Sequence, residues 1–289
     1  MLNTNHLGLG LSLILASCLL LAGSDALSKY LLQSYPVLLV VWLRYVLQTM
    51  LMLGLFAPRM GRRLIQTQRP LLQLARSMSL VGTSAFMFTS LLFIPLGETT
   101  AVLFLAPMVV LLASVALFKE PVSRGQWLSV GLGLIGVVII VRPGGGLFTP
   151  YVLLPIGAAL CLGFYQLLTR RLANTDHPLT SNFFSTLFGT LVMSLSLPWV
   201  WQMPVAQDLW VALLIAVLAI SGHLLLSNAY RFASAAALAP FTYAQIIFAV
   251  LFGALFFAHV PDHGALLGMA IIILSGLLVA WNKRRPGIS

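Results

Sequence analysis

The chain has 289 residues, of which 60% are hydrophobic and only 8% charged, with a mean hydropathy of +1.01. A water-soluble fold, in which about a quarter of residues are charged, cannot hide that much apolar surface, so composition excludes a soluble globular domain. The net charge of +10 does not indicate a nucleic-acid partner, because the basic residues form short clusters between apolar runs and not one face or stripe.

Apolar runs bounded by charge, Pro or Gly predict membrane-spanning helices at 8–33, 37–56, 71–94, 97–118, 125–142, 150–172, 179–200, 208–231, 235–258 and 263–282. Each is near the ~20 residues needed to cross a bilayer. Prolines 36, 58, 70, 95, 121, 143, 150, 178, 204 and 261 punctuate the junctions, and only the eighth-to-ninth lacks one. The first run resembles a signal-peptide core, but no Lys or Arg precedes it and it continues past Cys18, which favours an uncleaved helix. Cys18 and Cys161 both lie in apolar runs and suggest neither a disulfide framework nor a thiol metal site.

Positive charge sets the expected orientation. Arg59, Arg62, Arg63 and Arg69 follow the second span, Lys119 and Arg124 the fourth, Arg170 and Arg171 the sixth, Arg231 the eighth, and Lys283, Arg284 and Arg285 the tenth. The odd exits are nearly bare, Arg142 being the exception. Ten spans with both termini cytoplasmic follow. A shift of 139 superposes Phe93 on Phe232, Leu112 on Leu251 and Phe118 on Phe257, and a one-residue slip puts Gly136 on Gly276. Two five-helix repeats are expected, residues 1–146 and 147–289. Because five is odd, the second is inverted relative to the first, the arrangement transporters use for alternating access. The expected fold class is an all-α polytopic membrane protein.

Ionisable residues inside apolar spans are costly and therefore candidate functional groups. Asp25 and Lys29, four apart on the first span, share a helical face and are positioned to pair. Arg44 and Asp25 lie at similar depth, roughly 10 Å from the outer surface at 1.5 Å per residue. A carboxylate and two cations there suit a solute carrying both charges; a structural ion pair between the first two spans is the competing reading. Glu98 either favours the positive end of its helix dipole or, facing a cavity, accepts a proton, a role also open to Asp25. His223 is a substrate-binding candidate, against the simpler reading of a histidine bonded to a neighbouring carbonyl. Tyr165, Gln166, Tyr243 and Gln245 add uncharged polar groups from the second half, and Gln166 corresponds to Asp25 in the repeat. Pro107 and Pro240 each free a carbonyl one turn back.

Three look-alikes carry no chemistry. Gly131-Leu132-Gly133-Leu134-Ile135-Gly136 has dinucleotide-binding spacing but no preceding strand, and reads as a small-residue packing face. His259 and His263 flank Pro261 and Asp262 in a predicted loop, so a metal site is not expected. Gly144-Gly145-Gly146 lacks the Lys-Ser or Lys-Thr of a phosphate loop and reads as a link between halves.

Together with the arginine in the second span, Gly97-Glu98-Thr99-Thr100-Ala101, Leu105-Ala106-Pro107, Lys119-Glu120-Pro121-Val122 and Val141-Arg142-Pro143 resemble the EamA-type branch of the drug/metabolite transporter superfamily over essentially the whole chain. His259 departs from it, standing where these proteins commonly have the acidic residue of a Gly-Glu turn. The resemblance implies a bacterial inner-membrane carrier with a central cavity between the halves. It is most often an exporter of amino acids, related metabolites or drugs, while some relatives import vitamins or adenosylmethionine. Export of a small amphoteric metabolite, such as an amino-acid derivative or metal chelator, is the expectation. An importer is the alternative, and a membrane enzyme a more distant one. The expected partners are that solute and the lipid bilayer, with no cofactor.

Overall fold

A computed structural model describes residues 4–118, 124–142, 149–172, 175–232, 238 and 241–282. Its helices are α1 (Thr4–Leu31), α2 (Val37–Met60), α3 (Pro70–Ser90), α4 (Leu96–Leu103), α5 (Ala106–Phe118), α6 (Arg124–Val141), α7 (Leu153–Leu172), α8 (Pro178–Ser194), α9 (Leu197–Val200), α10 (Ala206–Phe232), α11 (Ala244–Phe257) and α12 (His263–Asn282). No strand occurs among the described residues. Without water in the hydrocarbon core, backbone groups must be satisfied within the segment, which is why the spans are helical. The runs at 119–122, 144–146 and 283–285 and Pro240 lie outside the described residues, as do the side chains of Arg124, Arg170 and Arg231.

The helices correspond to the ten expected spans with two internal breaks, the seventh span dividing into α8 and α9 after Ser194. The fourth span divides into α4 and α5, with Phe104 and Leu105 between them. Pro107 has no N–H for the carbonyl four residues back, and α4 stops at that residue, Leu103. Among the described residues, five stretches are long and apolar enough to cross a bilayer: Gly8–Leu31, Val37–Ile65, Leu96–Ala113, Pro150–Thr169 and Ala206–Leu226. The outward surface of the bundle is apolar, with Leu71, Leu153, Leu255 and Ile247 among many exposed large side chains, as a lipid-facing surface requires.

The packing follows the repeat. The most extensive helix pairings are α1 with α10, α6 with α12, α3 with α7, α1 with α11, and α2 with α8. Exchanging the halves turns α1–α10 into α7–α3 and α1–α11 into α7–(α4, α5), and leaves α2–α8, α6–α12 and α4–α11 as they are. The contact pattern is its own image under that exchange, as two inverted five-helix repeats demand.

Small residues and hydroxyls allow the close approach of these pairs. Ser17 Oγ donates to the Gly222 carbonyl at 2.7 Å and Ser24 Oγ to Ile215 at 3.2 Å, tying α1 to α10. At the α6–α12 crossing, a Cβ on Gly136 would lie 2.8 Å from the Gly268 carbonyl oxygen. The glycine run of α6 is thus a packing face at Gly136, where backbone meets backbone. At Gly131 a Cβ would meet nothing within 4 Å.

Candidate functional site

Two polar clusters and a cavity lie where the halves meet. In the first cluster, α1 and α2 place the Arg44 guanidinium 3.7 Å from the Asp25 carboxylate, and Gln245 of α11 contributes a long Nε2 contact of 3.5 Å to the same carboxylate. Arg44 also lies 5.3 Å from the Phe88 ring centroid. Lys29 does not complete the expected trio. No ion pair joins it to Asp25; its Nζ donates to the Ile94 carbonyl at 3.2 Å and sits 5.4 Å from the Phe257 ring centroid. One turn further along α1 than Asp25, Lys29 reaches the α3–α4 turn, whose open carbonyls compete for it.

The second cluster surrounds Arg76 of α3, which is 1% exposed. Nε donates to Thr169 Oγ1 at 2.6 Å; Nη1 to the Ser181 carbonyl at 2.6 Å and Ser185 Oγ at 2.7 Å; Nη2 to Tyr165 Oη at 2.6 Å and Asn182 Oδ1 at 3.2 Å. The guanidinium carbon is 4.4 Å from the Tyr165 ring centroid. All five N–H donors are used, and every acceptor is neutral.

Beside the second cluster is a cavity of about 50 Å³, lined by apolar side chains such as Met52, Phe56 and Leu80 and by Gln48, Tyr165, Asn182, Ser185, Thr186 and His223. His223 is exposed and is one of the side chains lining this space. Tyr243 instead belongs to the apolar core, 5% exposed and 5.1 Å from the Phe104 ring centroid. Gln166 is exposed and joins neither cluster. Metabolite pockets are about 300 Å³ or more, so a solute enters only if the halves separate.

On both faces of the bundle, contacts between the halves fasten facing turns together. On the face carrying Arg59, Arg62, Arg63 and Arg69, Asp176 of the α7–α8 turn accepts from Thr67, from the Gln68 N–H at 3.1 Å and from Gln73 Nε2 at 2.7 Å. Thr180 Oγ1 donates to the Arg63 carbonyl at 3.0 Å. On the opposite face, Tyr35 of the α1–α2 turn donates to Asp208 Oδ2 at 2.6 Å and accepts from the Val205 N–H at 3.2 Å. Exchange of the halves carries one pair of turns into the other. Trp199, Trp201 and Trp210 are exposed around this second pair of turns, a placement typical of a membrane–water interface.

Glu98 is not bonded to its own helix end. Its Oε1 lies 2.9 Å from His259 Nε2 and its Oε2 is buried without a partner. His259 thus stands opposite the carboxylate, in place of the acidic residue common at its position in the resembled family. Arg142, the anomalous cation of the sequence, pairs with Asp262, which also accepts from the Ala265 N–H at 2.9 Å. Sequence reasoning missed Arg76, although the signal was present: an arginine two turns inside the 71–94 span, flanked by Gln73, Ser77 and Ser79.

These features define a polytopic membrane carrier, and the comparisons with known proteins agree. The model of the EamA-like transporter family matches residues 8–142 and again 149–281, and the chain belongs to that family. A riboflavin transporter of Vibrio cholerae is 30% identical over 211 residues, 72% of this chain and 70% of that protein. An S-adenosylmethionine uptake transporter of Rickettsia conorii is 24% identical over 285 residues, 96% of this chain and 94% of that one. A crystal structure covering 97% of this chain and 99% of its own superposes with a TM-score of 0.66 at 18% identity, a likeness of fold. The family and these relatives are named as transporters rather than enzymes.

Proposed function

We propose that the chain is a secondary transporter that takes up a small organic metabolite by alternating access, the halves 1–146 and 147–289 opening the cavity to one face and then the other. The observation that carries this reading is a cavity between inverted halves, where Gln48, Tyr165, Asn182 and His223 stand among apolar side chains, in a bundle whose halves are fastened on both faces by contacts that the repeat relates. A pore open at both ends needs no such pair of contacts, whereas a carrier needs them to open in turn.

The basic face is assigned to the cytoplasm by the positive-inside rule, with both termini there and the chain in the bacterial inner membrane. Asp25, Arg44, Gln245, Tyr165 and His223 are assigned to the solute path. Lys29, Gln166 and Tyr243, candidates from the sequence, have surroundings that give them less direct roles. Glu98 facing His259 is the proton-exchanging pair, with Asp25 as a second carboxylate on the path. Uptake has more support than the export first expected, because the Rickettsia relative is named for uptake and matches nearly the full chain.

The test is flux into proteoliposomes of riboflavin, S-adenosylmethionine and a metabolite extract, with and without an inward proton gradient. Saturable uptake of at least one solute is expected, and Glu98→Gln should remove its acceleration by the gradient while sparing solute counterflow. A chain that moves none of them in either direction is not a metabolite carrier.

A further inference from the structure

Among the described residues, Arg44 and Arg76 lie within the bundle, and of these two only Arg44 has a counter-ion. Arg44 faces Asp25. Arg76, among the described residues, has no carboxylate within 4 Å; Asp176 is linked to it only through Gln73, which donates to both Asp176 and Ser181. Five hydrogen bonds satisfy its donors but leave its charge uncancelled in a low-dielectric interior, where a full positive charge acts strongly on any group entering the cavity.

Three members of its cage, Tyr165, Asn182 and Ser185, are also walls of the cavity. Tyr165 and Asn182 hold Nη2 from one side and line the empty space on the other. An oxyanion arriving there can take their place on Nη2 as a charge-assisted acceptor, stronger than a phenol or amide oxygen. The released Tyr165 hydroxyl is then free to donate to the same anion, while Asn182 Oδ1 only competes with the anion for Nη2.

We infer that Arg76 is the docking point for an oxyanion of the transported solute, a carboxylate or a phosphate, with Tyr165 and Asn182 giving up Nη2 as it binds. This rests on the cavity being the solute path. It places the anionic recognition of the solute at Arg76, since Arg44 is already neutralised by Asp25. It also makes Arg76 a specificity residue as well as a clamp between α3 and α7–α8.

The test uses the full chain in lipid nanodiscs. Trifluoroacetate is followed by ¹⁹F relaxation and inorganic phosphate by ³¹P relaxation, with neutral trifluoroacetamide as control. At least one anion is expected to bind saturably and trifluoroacetamide not; which anion binds separates the carboxylate from the phosphate source. Arg76→Gln should weaken binding roughly tenfold or more, the size of one charge-assisted hydrogen bond. Asn182→Ala, which uncovers Nη2, should strengthen it, and Arg62→Gln on the basic surface should leave it unchanged. Should Arg76→Gln fail to fold, Arg76→Lys keeps the charge without the planar fork and is expected to bind several-fold more weakly. Absence of saturable binding by either anion, or binding unaltered by the Arg76 and Asn182 substitutions, overturns the inference. A chain that binds the anion through Arg76 yet carries no solute in proteoliposomes would retain the site and lose the transport reading.

Discussion

Tyr35 donates a 2.6 Å hydrogen bond to Asp208, fastening the turn after α1 to the first turn of α10 across the boundary between the halves. Its counterpart on the other face is the bond from Thr67 to Asp176. The Tyr35 ring is buried in the apolar core, so its contact with Asp208 is loosened without leaving a cavity only when the hydroxyl alone is removed.

Removing the Tyr35 hydroxyl should therefore favour opening on its face. Tyr35→Phe deletes one bond to Asp208 and the acceptor for Val205, a cost to the closed state of about 1–2 kcal/mol. A cysteine replacing Gln245, in a background with Cys18 and Cys161 changed to Ser, should react about five- to thirtyfold faster with an impermeant maleimide applied from that face. Equal rates would mean that Tyr35 is not part of a gate.

The opposite closure should depend on pH with a defined sign. Burial pushes the Asp176 carboxyl up, but the hydrogen bonds from Thr67, Gln73 and Gln68 outweigh it and hold the pKa below its ordinary value. A depressed carboxylate stabilises the closed form fully above the unfolded value of about 3.9, and that contribution is lost as pH falls through the folded value. Iodide quenching of a bimane at position 186 should thus stay flat from pH 8 to 5 and rise only under stronger acid. Asp176→Asn should quench at pH 7 as the wild type does in acid. A rise already complete at pH 6 would reject Asp176 as the titrating group.

The Asp25–Arg44 pair separates binding from scaffolding by a double substitution. Either neutral single variant strands a charge, at roughly 3–5 kcal/mol for a buried pair. Asp25→Asn combined with Arg44→Gln strands none and should recover the thermal stability lost by the singles. Transport should nevertheless remain below about a tenth of wild type. Recovery of flux with stability would make the pair structural.

Two glycines of α6 should respond in opposite ways. Gly136→Val drives a side chain against the Gly268 carbonyl, which cannot swing aside, and should destabilise by about 1–3 kcal/mol or more. Gly131→Ala meets open space and should leave melting in detergent unchanged or slightly raised. Similar melting temperatures for the two variants would contradict the crossing geometry.

Hydropathy and loop charge made the ten spans and their inversion readable because both are properties of single segments. Pro107 was readable for the same reason, its missing N–H acting one turn away. The depth argument also placed Asp25 and Arg44 on one level, since rise per residue is fixed. Lys29 was misread because helical spacing ignores a competing carbonyl from another span. The pairing of Glu98 with His259 joins residues 161 apart, and no local pattern announces it. Arg76 sits just beyond the basic 59–69 run and blends with it in any count of loop charge. Its meaning emerges only when α7 and α8 supply Thr169, Tyr165, Ser181, Asn182 and Ser185.

The exchange-symmetric packing has a consequence for biogenesis. Since α1 finds its main partners in α10 and α11, and α6 finds its own in α12, the first half leaves the ribosome without the neighbours that complete it. Its polar groups, Arg76 among them, must wait in the translocon or at the lipid boundary until α7 and α8 arrive. Both large core clusters draw residues from the two halves, so two separately expressed halves should be degraded alone and rescue one another when made together.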